Sequence, residues 1–294
     1  MYLIVGANGY LGSYILKNVL NMTDAHVIAT ARHTFGQKSQ DERVSWYRLD
    51  ISNFSDVDKL AASLSQDFLS LNIIYLAAYH HPDEVENHPN LAWDINVTAL
   101  SHFLNAFRGV RCFVYPSTDT VYGESFHNEC FSEDAELNPI NRYGRQKVMA
   151  EELVTAFDQH ICRYPFLIAP SLVQNKKHFY DVITDTIRSG KTMEMFSDSF
   201  RSSLDFDTVA NLTVRLIQKG DFPNIINVSG DDKLSKYDIG LMIARKIHVS
   251  DKMILPVSIK QNNNIFKVPR AASTIRDNSL LKKTLGLKEV KIHI

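Results

Sequence analysis

Tyr143 and Lys147 stand four residues apart in the run Tyr143-Gly-Arg-Gln-Lys147. On a helix, that spacing puts both side chains on one face. A lysine beside a phenol favours the phenolate and lowers the cost of releasing the phenolic proton. Such a pair suits general acid–base chemistry near neutral pH. Tyr-x-x-x-Lys alone is common, but here it follows Ser117-Thr118, two hydroxyls at the end of an apolar run. The chain also opens with Gly6-Ala7-Asn8-Gly9-Tyr10-Leu11-Gly12. The combination reads as a nucleotide loop, a hydroxyl that orients a carbonyl, and a tyrosine that moves a proton.

The glycine loop follows an apolar strand over residues 2–5 and enters a helix predicted over 11–20, the context a dinucleotide fingerprint requires. Glycines permit a tight turn and close approach of backbone to a pyrophosphate, which then faces a helix N-terminus. Gly6, Asn8, Gly9, Tyr10, Leu11 and Gly12 are therefore cofactor-binding candidates. Arg32 ends the second predicted strand, and no Asp or Glu occurs between Asp24 and Asp41. An arginine there accommodates the 2′-phosphate of NADP, where NAD binders present a carboxylate to the ribose. The expectation is NADP(H) over NAD(H). Asp50 and Ile51 end the third strand, where the carboxylate either meets the adenine amino group or caps the next helix. Tyr79, with His80 and His81, follows the fourth strand and borders the nicotinamide or the substrate.

The elements that must position these residues alternate. Strands are expected over 2–5, 26–31, 44–49, 73–78, 112–116 and 161–164, with helices over 11–20, 55–65, 91–107 and 142–157. Pro89 reads as a breaker before the third helix. Such alternation argues for an α/β fold, a Rossmann-type doubly wound parallel sheet. After Pro170 the rhythm changes. Helices are expected over 179–189, 207–218 and 235–247, a strand over 225–228, and loops over 197–203 and 258–264. The predicted division is a dinucleotide-binding region over 1–170, rejoined by about 204–230, and a smaller, mixed substrate-binding region over 171–203 and 231–294.

Composition narrows the class. Of 294 residues, 45 % are hydrophobic and 22 % charged, enough apolar material for a large core. A formal net charge of -1 gives no pull toward nucleic acid or an anionic membrane. Cys112, Cys130 and Cys162 match no zinc spacing and form no complete disulfide set, so no metal is expected and a reducing cytoplasm is. No basic leader precedes the first strand, and the apolar runs are far shorter than the roughly 20 residues that span a bilayer.

These motifs together resemble the extended short-chain dehydrogenase/reductase family, the NAD(P)-dependent sugar-nucleotide epimerases, dehydratases and reductases. The Gly6/Gly9/Gly12 spacing is that family's form of the loop, and Leu76-Ala77-Ala78, Ile95-Asn96-Val97, Arg163-Tyr164-Pro165 and Ser229-Gly230 extend the likeness along the chain. Within the family the chain looks most like the dTDP-4-dehydrorhamnose reductases, through Ser117-Thr118-Asp119-x-Val121-Tyr122 and the stretch from Glu86 to Asn96. The resemblance implies NADPH-dependent reduction of a nucleotide-activated 4-keto-6-deoxy sugar. Tyr143 would be proton donor, Lys147 would lower its pKa and hold the nicotinamide ribose, and Thr118 would bond the carbonyl oxygen. It extends the cofactor contacts to Ala77, Ala78 and Asn96, and suggests Asp119, Phe166 and Arg201 as substrate contacts. Phe166 is as readily core, and Asn96 as readily a buried amide satisfying backbone. A homodimer is implied by analogy.

Departures from the family narrow the reaction. Asp119 is followed by Thr120, where 4,6-dehydratases carry Asp-Glu and the GDP-fucose synthase type a cysteine. Two alternatives stay open: a 4-epimerase with tightly bound NAD, and a non-catalytic nucleotide-binding regulatory protein.

Overall fold

The computed structural model describes residues 1–33, 41–125, 129–261 and 265–294. Its elements run β1 (Tyr2–Val5), α1 (Tyr10–Met22), β2 (Val27–Ala31), β3 (Val44–Arg48), α2 (Phe54–Leu64), β4 (Asn72–Tyr75), α3 (Pro82–Asn87), α4 (Pro89–Trp93), α5 (Ala99–Ala106), β5 (Cys112–Thr118), α6 (Arg142–Ala156) and β6 (His160–Tyr164). There follow α7 (Phe179–Arg188), β7 (Met193–Phe196), β8 (Phe200–Arg201), α8 (Phe206–Lys219), β9 (Ile225–Asn227), β10 (Leu234–Ser235), α9 (Lys236–Lys246), β11 (Ile254–Val257), β12 (Ser273–Thr274) and α10 (Ser279–Leu285). No helix among the described residues is long and apolar enough to cross a membrane.

Seven strands form one sheet in the order β3-β2-β1-β4-β5-β6-β9, and every neighbouring pair is parallel. The fold is the Rossmann-type α/β arrangement expected from the alternation. Strand side chains alternate between faces, so β1 feeds two cores. Tyr2 and Ile4 pack with residues of α1, α7, α8 and α9, while Leu3 and Val5 pack with α2, α5 and the apolar face of α6. The order reverses between β1 and β4, and at such a switch point the strand ends open a crevice. Two small sheets, β10-β8-β12 and β11-β7, follow the sixth strand in sequence.

Three sequence expectations shift. Residues 197–203 hold a short strand, β8, because Phe200 pairs with both Ser235 and Ser273 across distant segments. The fourth strand stops at Tyr75, so Ala77, Ala78 and Tyr79 lie on the connection beyond it. Pro89 starts α4 rather than breaking a helix, since the first helical position needs no N–H. A π turn over Asp94–Thr98 then joins α4 to α5. The loop expected at 258–264 is described only as far as residue 261.

Candidate active site

Helix α6 carries Tyr143 in its first turn, where Asn141 caps the helix by accepting from the Gly144 N–H at 2.9 Å. Such a cap is worth about 1 kcal/mol. A Cβ on Gly144 would press against the Thr120 carbonyl and Pro139, each at 2.8 Å, so glycine lets the helix start lie against the turn that follows Thr118. Tyr143, Lys147 and Glu151 then share one helix face, directed at β5. Lys147 donates to the Tyr115 hydroxyl at 2.7 Å and to the Pro116 carbonyl at 2.6 Å. One turn on, Glu151 accepts from the Ser117 hydroxyl and pairs with Arg163 at 2.7 Å, both side chains nearly sealed from solvent. Ser117 is thus a structural hydroxyl, and Thr118 is the one left beside the cleft. Its Oγ1 donates to Asp119 at 3.1 Å and accepts from the Thr120 N–H at 3.3 Å.

Burial governs the titration of this cluster. It pushes the Tyr143 phenol well above its ordinary range, and the Asp119 carboxylate adds to the rise. Tyr143 therefore holds its proton at neutral pH, as a donor must. Burial pulls Lys147 down to about 7, with Glu151 opposing the shift. The lysine reaches its acceptors on β5, and in this structure its charge does not lower the Tyr143 phenol as the motif alone implies.

The carboxyl ends of β1, β4, β5 and β6 open into a cleft of about 930 Å³. Gly6, Asn8, Gly9, Tyr10, Leu11 and Gly12 line one end. A Cβ on Gly12 would collide with the Gly6 carbonyl and the Ala7 backbone, so glycine is needed for α1 to start this close to the loop. Helix α1 has no side-chain cap and no acidic residue in its first turn. Its first N–H groups are therefore free to bind an anion, which fits a dinucleotide pyrophosphate. Arg32 is exposed at the end of β2, with its Nε 3.1 Å from His33. Asp50 lies below the usual carboxylate range. Partial burial raises it, but hydrogen bonds from Ser52 and the charges of Arg32 and His33 outweigh that. Ile51, Ala77, Ala78 and Tyr79 complete this side. Asn96 does not line the cleft. Its amide accepts from the Tyr79 N–H at 2.8 Å and donates to the Tyr79 carbonyl at 3.0 Å, which fixes the segment that does.

The other side of the cleft is cationic and aromatic. Phe166 lines it just past β6. Arg201 lies 3.2 Å from Asp119 and donates to the Phe200, Ala271 and Ala272 carbonyls at 2.7, 2.6 and 3.2 Å. Asp119 also accepts from Thr274 at 2.5 Å. These two expected substrate contacts thus engage each other and the surrounding chain, and Asp119 orients Thr118 and Arg201 from beneath.

Two cationic residues were not found from sequence. Lys236 opens α9 with its ammonium 5.4, 5.3 and 6.0 Å from the rings of Phe166, Phe179 and Phe266. Burial lowers its pKa to about 8, with Arg201 and Arg270 adding repulsion. Arg270 pairs with Asp83 at 3.1 Å, while its buried Nη1 has no hydrogen-bond partner among the described residues. Neither sits in a motif; Lys236 falls at the start of the helix expected over 235–247, with nothing in the local pattern to set it apart. Of the basic run 176–178, Lys176 lies over the Tyr10 ring at 4.5 Å, Lys177 pairs with exposed Asp185, and His178 packs edge-on against Tyr10.

Comparison with known proteins agrees with this architecture. The chain is 26 % identical to the methionine adenosyltransferase 2 subunit beta of Xenopus laevis, over 96 % of this chain and 81 % of that protein. A hypothetical dTDP-4-dehydrorhamnose reductase from Sulfolobus tokodaii superposes with a TM-score of 0.80 at 23 % identity, covering 99 % of this chain and 97 % of that one. The dTDP-4-dehydrorhamnose reductase of Bacillus anthracis, solved in complex with NADP, gives 0.78 at 21 % identity, covering 98 % and 93 %. At these identities the structural matches establish the fold. The resemblance to the extended short-chain dehydrogenase/reductases is borne out, and because residues 1–291 match the model of the RmlD substrate binding domain, the chain belongs to that family.

Proposed function

We propose that the protein reduces a nucleotide-activated 4-keto-6-deoxy sugar to the 4-hydroxy sugar, with NADPH preferred over NADH. The observation that carries this reading is the convergence of Thr118, Tyr143 and Lys147 on one cleft, between a dinucleotide loop and a cationic, aromatic wall. Gly6 to Gly12, Arg32, Asp50, Ile51, Ala77, Ala78 and Tyr79 would hold the dinucleotide. Bound NADPH would supply the hydride. Thr118 orients the ketone oxygen, and Tyr143 donates the proton that this oxygen takes up as charge develops on it. Lys147 offers an N–H to the cleft that suits a ribose hydroxyl. Lys236 suits the substrate diphosphate, because a half-buried cation held among phenyl rings and other cations gains most from binding an anion, and the Arg270 Nη1, which the Asp83 pair leaves unused, suits it as a second donor. With Phe166, residues 171–203 and 231–294 would supply this substrate-facing wall.

A second reading is favoured by the similarity over nearly the whole chain to a protein named as a subunit of a methionine adenosyltransferase. In it the fold binds a nucleotide and serves a partner without turnover. NADPH oxidation against a panel of 4-keto sugar nucleotides separates the two. Turnover that Tyr143→Phe abolishes supports the reductase, and NADPH binding with no turnover supports the binding subunit. Firmly bound NAD in the purified protein would instead favour an epimerase.

A further inference from the structure

Lys147 is only 3 % exposed. A buried ammonium must find acceptors or give up its proton. It finds the Pro116 carbonyl and the Tyr115 hydroxyl, and it stands 4.0 Å from the centre of the Tyr115 ring. Tyr115 sits on β5 within an aromatic core that includes Phe113 and Phe103, where phenylalanine would pack as well. Among the described residues, Lys147 is the one hydrogen-bond partner of the Tyr115 hydroxyl. The neighbouring Tyr75, its ring 6.5 Å away, has a buried hydroxyl with no hydrogen-bond partner among the described residues. The pairing at Tyr115 is therefore particular to the site above it.

We propose that Tyr115 is a positioning residue whose phenol oxygen keeps the Lys147 ammonium charged and in place, leaving its third N–H for the cleft. The proposal rests on reading Tyr143 and Lys147 as the acid–base pair. The titratable groups around Lys147 are Tyr115 on β5, Tyr143 and Glu151 on its own helix, and His80 on the segment after β4. Glu151 is already held by Arg163 and Ser117, so Tyr115 is the side chain that touches the ammonium. Loss of that acceptor disfavours the charged amine, so the Lys147 proton leaves at lower pH.

The test is competitive acetylation by acetic anhydride across a pH series, with labelling of Lys147 read by peptide mass spectrometry. Only the free amine reacts, so the midpoint reports protonation of Lys147 and needs no turnover. In Tyr115→Phe the midpoint should fall by about one pH unit or more. An unchanged midpoint in folded Tyr115→Phe, checked by melting and NADPH binding, overturns the proposal. Should Tyr115→Phe fail to fold, Tyr115→Leu is read in the same way: a midpoint lowered by about a unit supports the proposal, and a wild-type midpoint overturns it. A shifted midpoint in a protein that turns over no sugar nucleotide would sink the reductase reading and leave the role of Tyr115 standing.

Discussion

One wall of the cleft takes its groups from contiguous stretches, residues 6–12 and 143–147. The opposite wall takes Arg201, Lys236, Phe266 and Arg270 from separate segments brought together by the small sheets and α9. The first wall is built from exposed backbone N–H groups and one helix face, and it suits chemistry common to many substrates. The second is built from side chains with little local pattern, and it suits discrimination between them. Changes in the first wall should therefore act on turnover or on the cofactor, and changes in the second on the apparent affinity for substrate.

The largest effect expected is from Tyr143→Phe, which should lower kcat by about a thousandfold while NADPH affinity stays within about twofold. Steady-state kinetics with a fluorescence titration of NADPH checks both. Lys236→Met keeps the bulk against the three phenylalanines but removes the charge. The KM for the sugar nucleotide should rise between about tenfold and a hundredfold, with kcat and the KM for NADPH nearly unchanged. A fall in kcat instead would erase the contrast between the walls. Arg32→Ala should raise the KM for NADPH about tenfold and leave that for NADH almost unaffected.

A pH series sharpens the same comparison. Lys147 is charged below about 7, so the kcat of reduction should decline as pH rises through that value. Lys236 loses its charge near 8, so the KM for the sugar nucleotide should climb a unit later. The smallest effect is expected from Asn141→Ala. Removing the cap of α6 should cost about 1 kcal/mol and lower Tm by roughly 2 °C in a calorimetric scan.

The first wall was legible because its geometry is short-range. A strand, a glycine turn and a helix occupy neighbouring residues, and the i,i+4 spacing of Tyr143 and Lys147 needs only a helix to have meaning. The parallel sheet was legible for the same reason, through its alternating elements. The second wall was not. Strand β8 is only two residues long and shows no period; it exists because Phe200 pairs with Ser235 and Ser273. Lys236 and Arg270 then meet across these pairings, which no local pattern encodes. The resemblance suggested Asp119 as a substrate contact, and what the motif does not encode is that a carboxylate so deeply buried takes Arg201 and Thr274 as partners. Tyr115 lies inside the strand expected over 112–116 with no local mark, and its contact with Lys147 depends on the register of α6 against β5.

The most direct test of the central claim is NADPH oxidation by the purified protein with a panel of 4-keto sugar nucleotides, followed by ultraviolet absorbance and run beside Tyr143→Phe. The account predicts turnover of at least one member that needs added NADPH and is lost in the variant. Turnover that survives in Tyr143→Phe, or a protein that carries unexchangeable NAD and oxidises no NADPH with any member, would contradict it.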